Sequence, residues 1–179
     1  MWRSSDTDMK PLETPHSHYL LAAEGWLELG NPAEAQAELD QIPPGLQTHP
    51  DVLGVRWHLH AHARQWSRCV TVANAVILVD EARSEAWIHR SFALHELKQT
   101  LEAYEQLLPA AGKFPEVWLI PYNLACYCAQ LGQPAQSLKW LQRALAIDEP
   151  SVRLAAEEDP DLEPLRESLG GDLWKKLPK

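Results

Sequence analysis

The sequence predicts an all-α chain: an α-solenoid of four helix-turn-helix units with a C-terminal capping helix. Three observations predict it. The first is a register of 34 residues that links Ala35, Cys69, Ala103 and Ser137, all of them small. The same step links Leu39, Ala73, Leu107 and Leu141, then Ile42, Val76, Ala110 and Ala144, with no insertion or deletion. It also links Leu29, Ala63, Leu97 and Leu131, and Tyr19, Leu53, Trp87 and Pro121. The second is helical spacing within a copy, as in Leu124, Cys128 and Leu131, followed by Leu138, Leu141 and Leu145. The third is composition: 45% of the 179 residues are hydrophobic, enough to bury a core, while only 8 are glycine, too few for a turn-rich β-protein. A single helix pair cannot bury its apolar face, whereas stacked pairs share a continuous core.

Each element has a local reason. Residues 1–14 are polar and include Pro11, which predicts a tail. The run Met1-Trp2-Arg3-Ser4-Ser5-Asp6 has no apolar stretch behind it, so neither a signal peptide nor an anchor is expected, and the chain reads as cytoplasmic. The repeats are expected within residues 15–150, at about 16–49, 50–83, 84–117 and 118–151. In the first copy the two helices are separated by Leu29-Gly30-Asn31-Pro32, and in the fourth by Leu131-Gly132-Gln133-Pro134. Glycine there accepts a left-handed helix end, and proline suits the first turn of the next helix. The middle copies have Arg64-Gln65-Trp66 and Lys98-Gln99-Thr100 instead, and without glycine these breaks are expected to be less sharply specified. The small residue early in each second helix lets two closely joined helices cross without being pushed apart. Tyr19, Leu53 and Trp87, near the start of the first helices, are expected to fill the wedge between neighbouring pairs.

Residues 151–179 are expected to form capping helices and a tail. Ser151 to Ala156 reads as a short helix. Asp159 is placed as an N-cap with Pro160 at the first helical position, and Leu162, Leu165 and Leu169 share one face before Gly170-Gly171. Glu163, Arg166 and Glu167 supply the polar face that a terminal helix of a solenoid needs.

Charge and cysteine content exclude several function classes. A net charge of −9 disfavours a nucleic-acid binder, which needs a basic surface to displace phosphate counterions. No stretch approaches the length of a membrane-spanning helix. Three cysteines, an odd number, fit a reducing compartment better than a disulfide framework. Cys69 sits at the small packed position and reads as core. Cys126 and Cys128 diverge by about 200° around a helix, which suits neither a disulfide nor a shared metal. There is no Gly-rich phosphate loop, nucleophile elbow or His-Glu-x-x-His zinc motif, so the sequence predicts no enzyme and no cofactor.

On these residues the copies resemble tetratricopeptide repeats (TPRs), whose period is the same and whose pattern is carried by Trp, Leu-Gly, aromatic, Ala and Pro positions. Copy one supplies Tyr19, Ala22, Ala23, Trp26, Gly30 and Ala35; copy three, Trp87, Ala103, Ala110 and Pro115; copy four, Leu124, Ala125, Gly132 and Ala144. Copy two departs most, with Arg56 and Trp57 where the family has Leu and Gly. The segment Tyr122-Asn123-Leu124-Ala125-Cys126-Tyr127, with Asp159-Pro160-Asp161-Leu162 downstream, is similar to the closing part of many bacterial TPR proteins.

The resemblance implies a ligand groove on the concave side, formed by the first helix of each pair, and a protein or peptide of unknown identity as the partner. The groove residues expected from the spacing are Glu24, Glu28, His58, His62, Ile88, His89, Phe92, His95, Tyr122, Asn123 and Cys126. Phe92 and Tyr122 are the expected aromatic anchors. The carboxylate clamp of TPR co-chaperones is absent, because its positions hold Leu20, Glu24, Val55, Glu85 and His89, and the two glutamates would repel an acidic C-terminus. The leading expectation is therefore a non-catalytic interaction module. An alternative is a metal- or anion-responsive sensor. His58 and His62 lie four apart on one helix face and could be joined by His95, while Arg56 and Arg90 could anchor an anion or else pair with carboxylates such as Asp80 or Glu81. A third reading is a self-associating scaffold, a homo-oligomer with Trp66 and Trp140 as its apolar patch.

Overall fold

The computed structural model describes residues 11–170, and among them it is helical throughout with no strand. The tail expected before residue 11 and the segment after Gly170 lie outside the described residues. The chain divides into two compact units, residues 1–86 and 87–179. The helix Ser84–Glu96 carries the boundary.

The first unit holds α1 (His16–Glu28), α2 (Pro32–Asp40), α3 (Pro50–His62) and α4 (Trp66–Val79), and the start of α5 (Ser84–Glu96). Helix α1 packs on α2, α3 packs on α4, and α3 also meets α1 and α2. One part of its core gathers Ala23, Ala35, Leu39, Ile42, Val52, Val55 and Leu59. A second part gathers Leu53, Val76 and Ala86. Full burial of side chains such as Leu39, Ile42 and Val52 stabilises by about 1.5–3 kcal/mol each. The α2–α3 connection is tied down by Gln47, whose side-chain amide donates to the Leu39 carbonyl at 3.0 Å and to the Ile42 carbonyl.

The second unit holds the rest of α5, then α6 (Thr100–Leu107), α7 (Ala110–Lys113), α8 (Leu119–Gln130), α9 (Pro134–Ile147), α10 (Glu149–Ala156) and α11 (Glu163–Ser168). Pro109 interrupts what would otherwise be one long second helix, dividing it into α6 and α7. Helix α8 pairs with α9 and packs on α6, and α10 and α11 lie on α9. Asp148 caps α10 by accepting from the Ser151 N–H at 3.1 Å. Asp159 likewise accepts from the Asp161 N–H at 2.9 Å and opens a short 3₁₀ turn, Pro160–Leu162. Leu162 and Leu165 are fully buried, and Leu169 is half-buried.

The 34-residue tracks differ in what they do. Ala35, Cys69, Ala103 and Ser137 are each 0% exposed. Two of them also bond back to the preceding helix: the Ser137 hydroxyl donates to the Ala125 carbonyl at 2.7 Å, and the Cys69 thiol lies 3.7 Å from the Trp57 carbonyl. The track beginning at Leu29 is not core, since Leu29 is 76% exposed at the end of α1.

The helix breaks correct one expectation. Gly30 and Gly132 adopt φ of 72° and 70°, and Arg64 and Lys98 adopt φ of 52° and 65°. All four close with the same two bonds, a Schellman pair. For Arg64 these are its N–H to the Ala61 carbonyl and the Gln65 N–H to the His60 carbonyl, each 2.9 Å. For Gly30 they are its N–H to Leu27 at 3.0 Å and the Asn31 N–H to Trp26 at 2.8 Å. The breaks without glycine are therefore as sharply specified as the others.

Candidate functional site

In the first unit, α1 and α3 enclose a cavity of about 430 Å³ lined by Glu24, Leu27, Glu28, Val55 and His58. Glu24 and Glu28 are one turn apart on α1 and both exposed. Neither forms an ion pair with another described residue. Burial raises the Glu24 carboxyl above its ordinary range, and the charges of Asp51 and Glu28 push the same way. Burial lowers the pKa of His58, which keeps the imidazole neutral at neutral pH. The Trp57 and His58 rings meet edge to face at 5.2 Å. His62 is exposed on the same helix but does not line the cavity.

In the second unit, Ile88 is buried, His89 and Asn123 are half-buried, and Phe92 is 39% exposed. Tyr122 and Cys126 are buried, at 4% and 3% exposure. What covers them is the chain's own turn at Asp159 to Leu162. Tyr122 Oη donates to Asp159 Oδ2 at 2.6 Å, and Cys126 Sγ lies 3.6 Å from the same oxygen. Gln130 Nε2 donates to the Asp161 carbonyl at 3.0 Å. His95 completes the contact, with Nε2 3.1 Å from Asp161 Oδ2 and Nδ1 3.0 Å from Thr100 Oγ1. Arg166 donates to the Asp159 carbonyl at 2.9 Å and to the Ala156 carbonyl, tying the start of the turn to the end of α10.

These placements correct four expectations. Tyr122 is not an open aromatic anchor, because the turn lies on it. Cys126 is not an open groove residue: it is 3% exposed, and burial, with Asp159 and Asp161 nearby, raises its thiol pKa well above the ordinary range. Burial likewise pushes the thiols of Cys69 and Cys128 up to about 11. His95 is not available to join His58 and His62 on a metal, because both of its ring nitrogens already face partners. Among the described residues no group of three or more His, Cys, Asp or Glu is placed to hold a metal ion. Arg56 and Arg90 are both engaged within the chain. Arg56 donates to the Gln47 side chain. Arg90 donates to the Gln106 carbonyl at 2.9 Å and lies 5.0 Å over the Trp87 ring. Asp80 instead holds Arg83 at 3.0 Å, which also reaches Asp51 at 2.6 Å. Trp66 and Trp140 are half-buried, and Trp140 has Arg143 5.5 Å from its ring centre.

Sequence reasoning places Cys126 on the groove row, three register steps after Glu24, and Gln130 stands in the same relation to Glu28. It missed Asp159 and Asp161 as the groups those positions meet. The signal available is the acidic Asp159-Pro160-Asp161-Leu162 run outside the repeats, whose carboxylates have no partner at helical spacing.

No family model and no curated protein sequence matches the chain. Solved structures do match it. A crystal structure of MamA superposes with TM-score 0.69 at 13% identity, over 90% of this chain and 88% of that one. PilF of Pseudomonas aeruginosa matches with TM-score 0.68 at 21% identity, over 92% and 77%. A thermophilic TPR protein of Thermus thermophilus matches with TM-score 0.68 at 16% identity, over 87% and 84%. The chain therefore has the TPR fold, an α-solenoid of helix-turn-helix repeats. Among the described residues no helix is long and apolar enough to cross a membrane.

Proposed function

We propose that the chain is a non-catalytic interaction scaffold that holds a peptide or protein segment in the groove between α1 and α3. The observation that carries this reading is the open cavity of about 430 Å³ on that face, with Leu27 and Val55 as its apolar floor and Glu24, Glu28 and His58 as its polar rim. An apolar floor supplies affinity, and convergent polar groups fix the orientation of what binds. A second observation supports it. In the fourth copy, the residues three register steps after Glu24 and Glu28 already hold a stretch of irregular chain, through Cys126 to Asp159 and Gln130 to the Asp161 carbonyl. That row of positions is thus suited to receive a chain segment. The TPR fold adds only a general expectation of protein binding, because function resides in the site and not in the fold.

The test is affinity capture from the native host with the full chain and with its Leu27→Arg variant. Leu27 lines the cavity and is half-buried against the core cluster of α1 to α3, so arginine there fills the groove, and circular dichroism and thermal denaturation verify that the variant keeps its fold before the retained sets are compared. Proteins retained by the parent and lost by the variant are the expected result. An identical retained set would overturn the groove as the binding site.

A further inference from the structure

The two occurrences of the same row of positions differ in charge. In the second unit the row is neutral, with Tyr122, Cys126 and Gln130, and His95 lies beside it; what it holds is an acidic turn. In the first unit the row carries Glu24 and Glu28 on the wall of an open cavity whose lining contains no lysine or arginine. The pair stands at i and i+4 on α1, where like charges repel. Asp51 adds a third negative group close enough to act on Glu24. Arg83 is already paired with Asp51 at 2.6 Å and with Asp80 at 3.0 Å. The local electrostatics of α1 are thus unfavourable in the free chain and become favourable when a cation enters the cavity.

We infer that the groove between α1 and α3 takes a basic segment of a partner protein, one lysine or arginine reaching Glu24 and Glu28 while an adjacent apolar side chain packs on Leu27 and Val55. This rests on the groove reading above and specifies its partner. The geometry of the second unit is the template. There a short turn lays one side chain against the first-helix row, Asp159 on Tyr122 and Cys126, and buries the apolar residue that follows, Leu162. In the first unit the complementary occupant has the opposite sign. Arginine suits the site better than lysine, because its planar fork can bond two carboxylates at once. Leu27 and Val55 exclude a purely polar ligand, since a segment without an apolar contact would leave the floor wet.

The experiment uses the full chain and a random 12-residue peptide library displayed on phage. Enriched peptides are synthesised and measured by fluorescence polarisation against the parent, the Glu24→Gln/Glu28→Gln double variant and Leu27→Arg. The expected result is enrichment of arginine or lysine beside Leu, Ile, Val or Phe. Binding should weaken about tenfold or more in the double variant, and similarly on raising salt from about 50 to about 500 mM. Both glutamates are exposed, so the double variant keeps its fold, which circular dichroism verifies. Peptides that lose binding in Leu27→Arg but carry no basic residue would overturn the charge inference and leave the groove reading standing. Basic peptides indifferent to the double variant would also overturn it. An absence of enriched peptides, or peptides indifferent to every variant, would overturn both readings.

Discussion

Tyr122 Oη donates to Asp159 Oδ2 at 2.6 Å, and the other oxygen of that carboxylate caps the turn by accepting from the Asp161 N–H at 2.9 Å. One side chain thus holds the turn's shape and fastens it to α8. Beneath it, Leu162 and Leu165 are fully buried.

Deleting everything after Glu158 removes those two leucines and uncovers Tyr122 and Cys126. The loss should be about 3–6 kcal/mol, taking about 1.5–3 for each buried leucine. That is a large part of the stability of a domain of this size. Urea denaturation should show the drop, and a disulfide-exchange reagent should label Cys126 much faster than in the full chain. Unchanged stability and labelling would show that the turn contributes no cover.

Replacing Tyr122 with Phe keeps the ring and removes only the hydroxyl. Asp159 then loses one hydrogen bond to a charged acceptor, which should cost about 1.5–3 kcal/mol. Asp159→Ala should cost more, because it removes the turn cap as well and leaves the buried Tyr122 hydroxyl without its acceptor. Thermal denaturation of the two single variants should rank them in that order.

Arg64 and Lys98 hold the left-handed conformation that glycine holds at Gly30 and Gly132. A side chain there costs about 1–2 kcal/mol, and glycine relieves it while adding about 0.5–1 kcal/mol of unfolded-state entropy. Arg64→Gly and Lys98→Gly should therefore raise stability by up to about 1 kcal/mol, whereas Gly30→Ala and Gly132→Ala should lower it by about 1 kcal/mol. Denaturant midpoints of the four variants check the pairing. A loss on introducing glycine would mean that the side chains of Arg64 and Lys98 contribute more than their backbone strain costs.

Burial, with help from Asp51 and Glu28, raises the Glu24 pKa above the ordinary 4.5. A folded-state value above the unfolded one means that protonation favours the fold. The benefit is complete below the unfolded pKa and disappears as pH rises through the folded value. Glu24 is largely exposed and solvent screens its interactions, so Glu24→Gln should be more stable than the parent near pH 7 by at most a few tenths of a kcal/mol, and equal to it below about pH 4. Equilibrium unfolding at both pH values tests the sign. A variant less stable near neutrality would show that Glu24 makes a favourable contact in the fold.

The 34-residue register placed much of the core from sequence, because a tracked position tends to repeat the same local environment: Ala35, Cys69, Ala103 and Ser137 are all fully buried, although the track beginning at Leu29 is not. It also placed Glu24 and Glu28 on one face of α1 and His58 at the equivalent position of α3, since i, i+4 and one-register spacings are properties of the chain itself. The two glycine-containing breaks were equally plain. What the register could not contain was any partner outside the repeats. Tyr122 and Cys126 occupy groove positions, yet they are covered because Asp159 and Asp161 fold back onto α8 and His95. The same limit applies to Arg56, whose partner is Gln47 in a connecting segment. It applies as well to Arg64 and Lys98, where the packing of each helix pair imposes a left-handed turn against the local preference of the residue. Periodicity records which face a residue occupies. What lies against that face depends on non-repeating segments and on distant contacts, and only the tertiary structure brings those together.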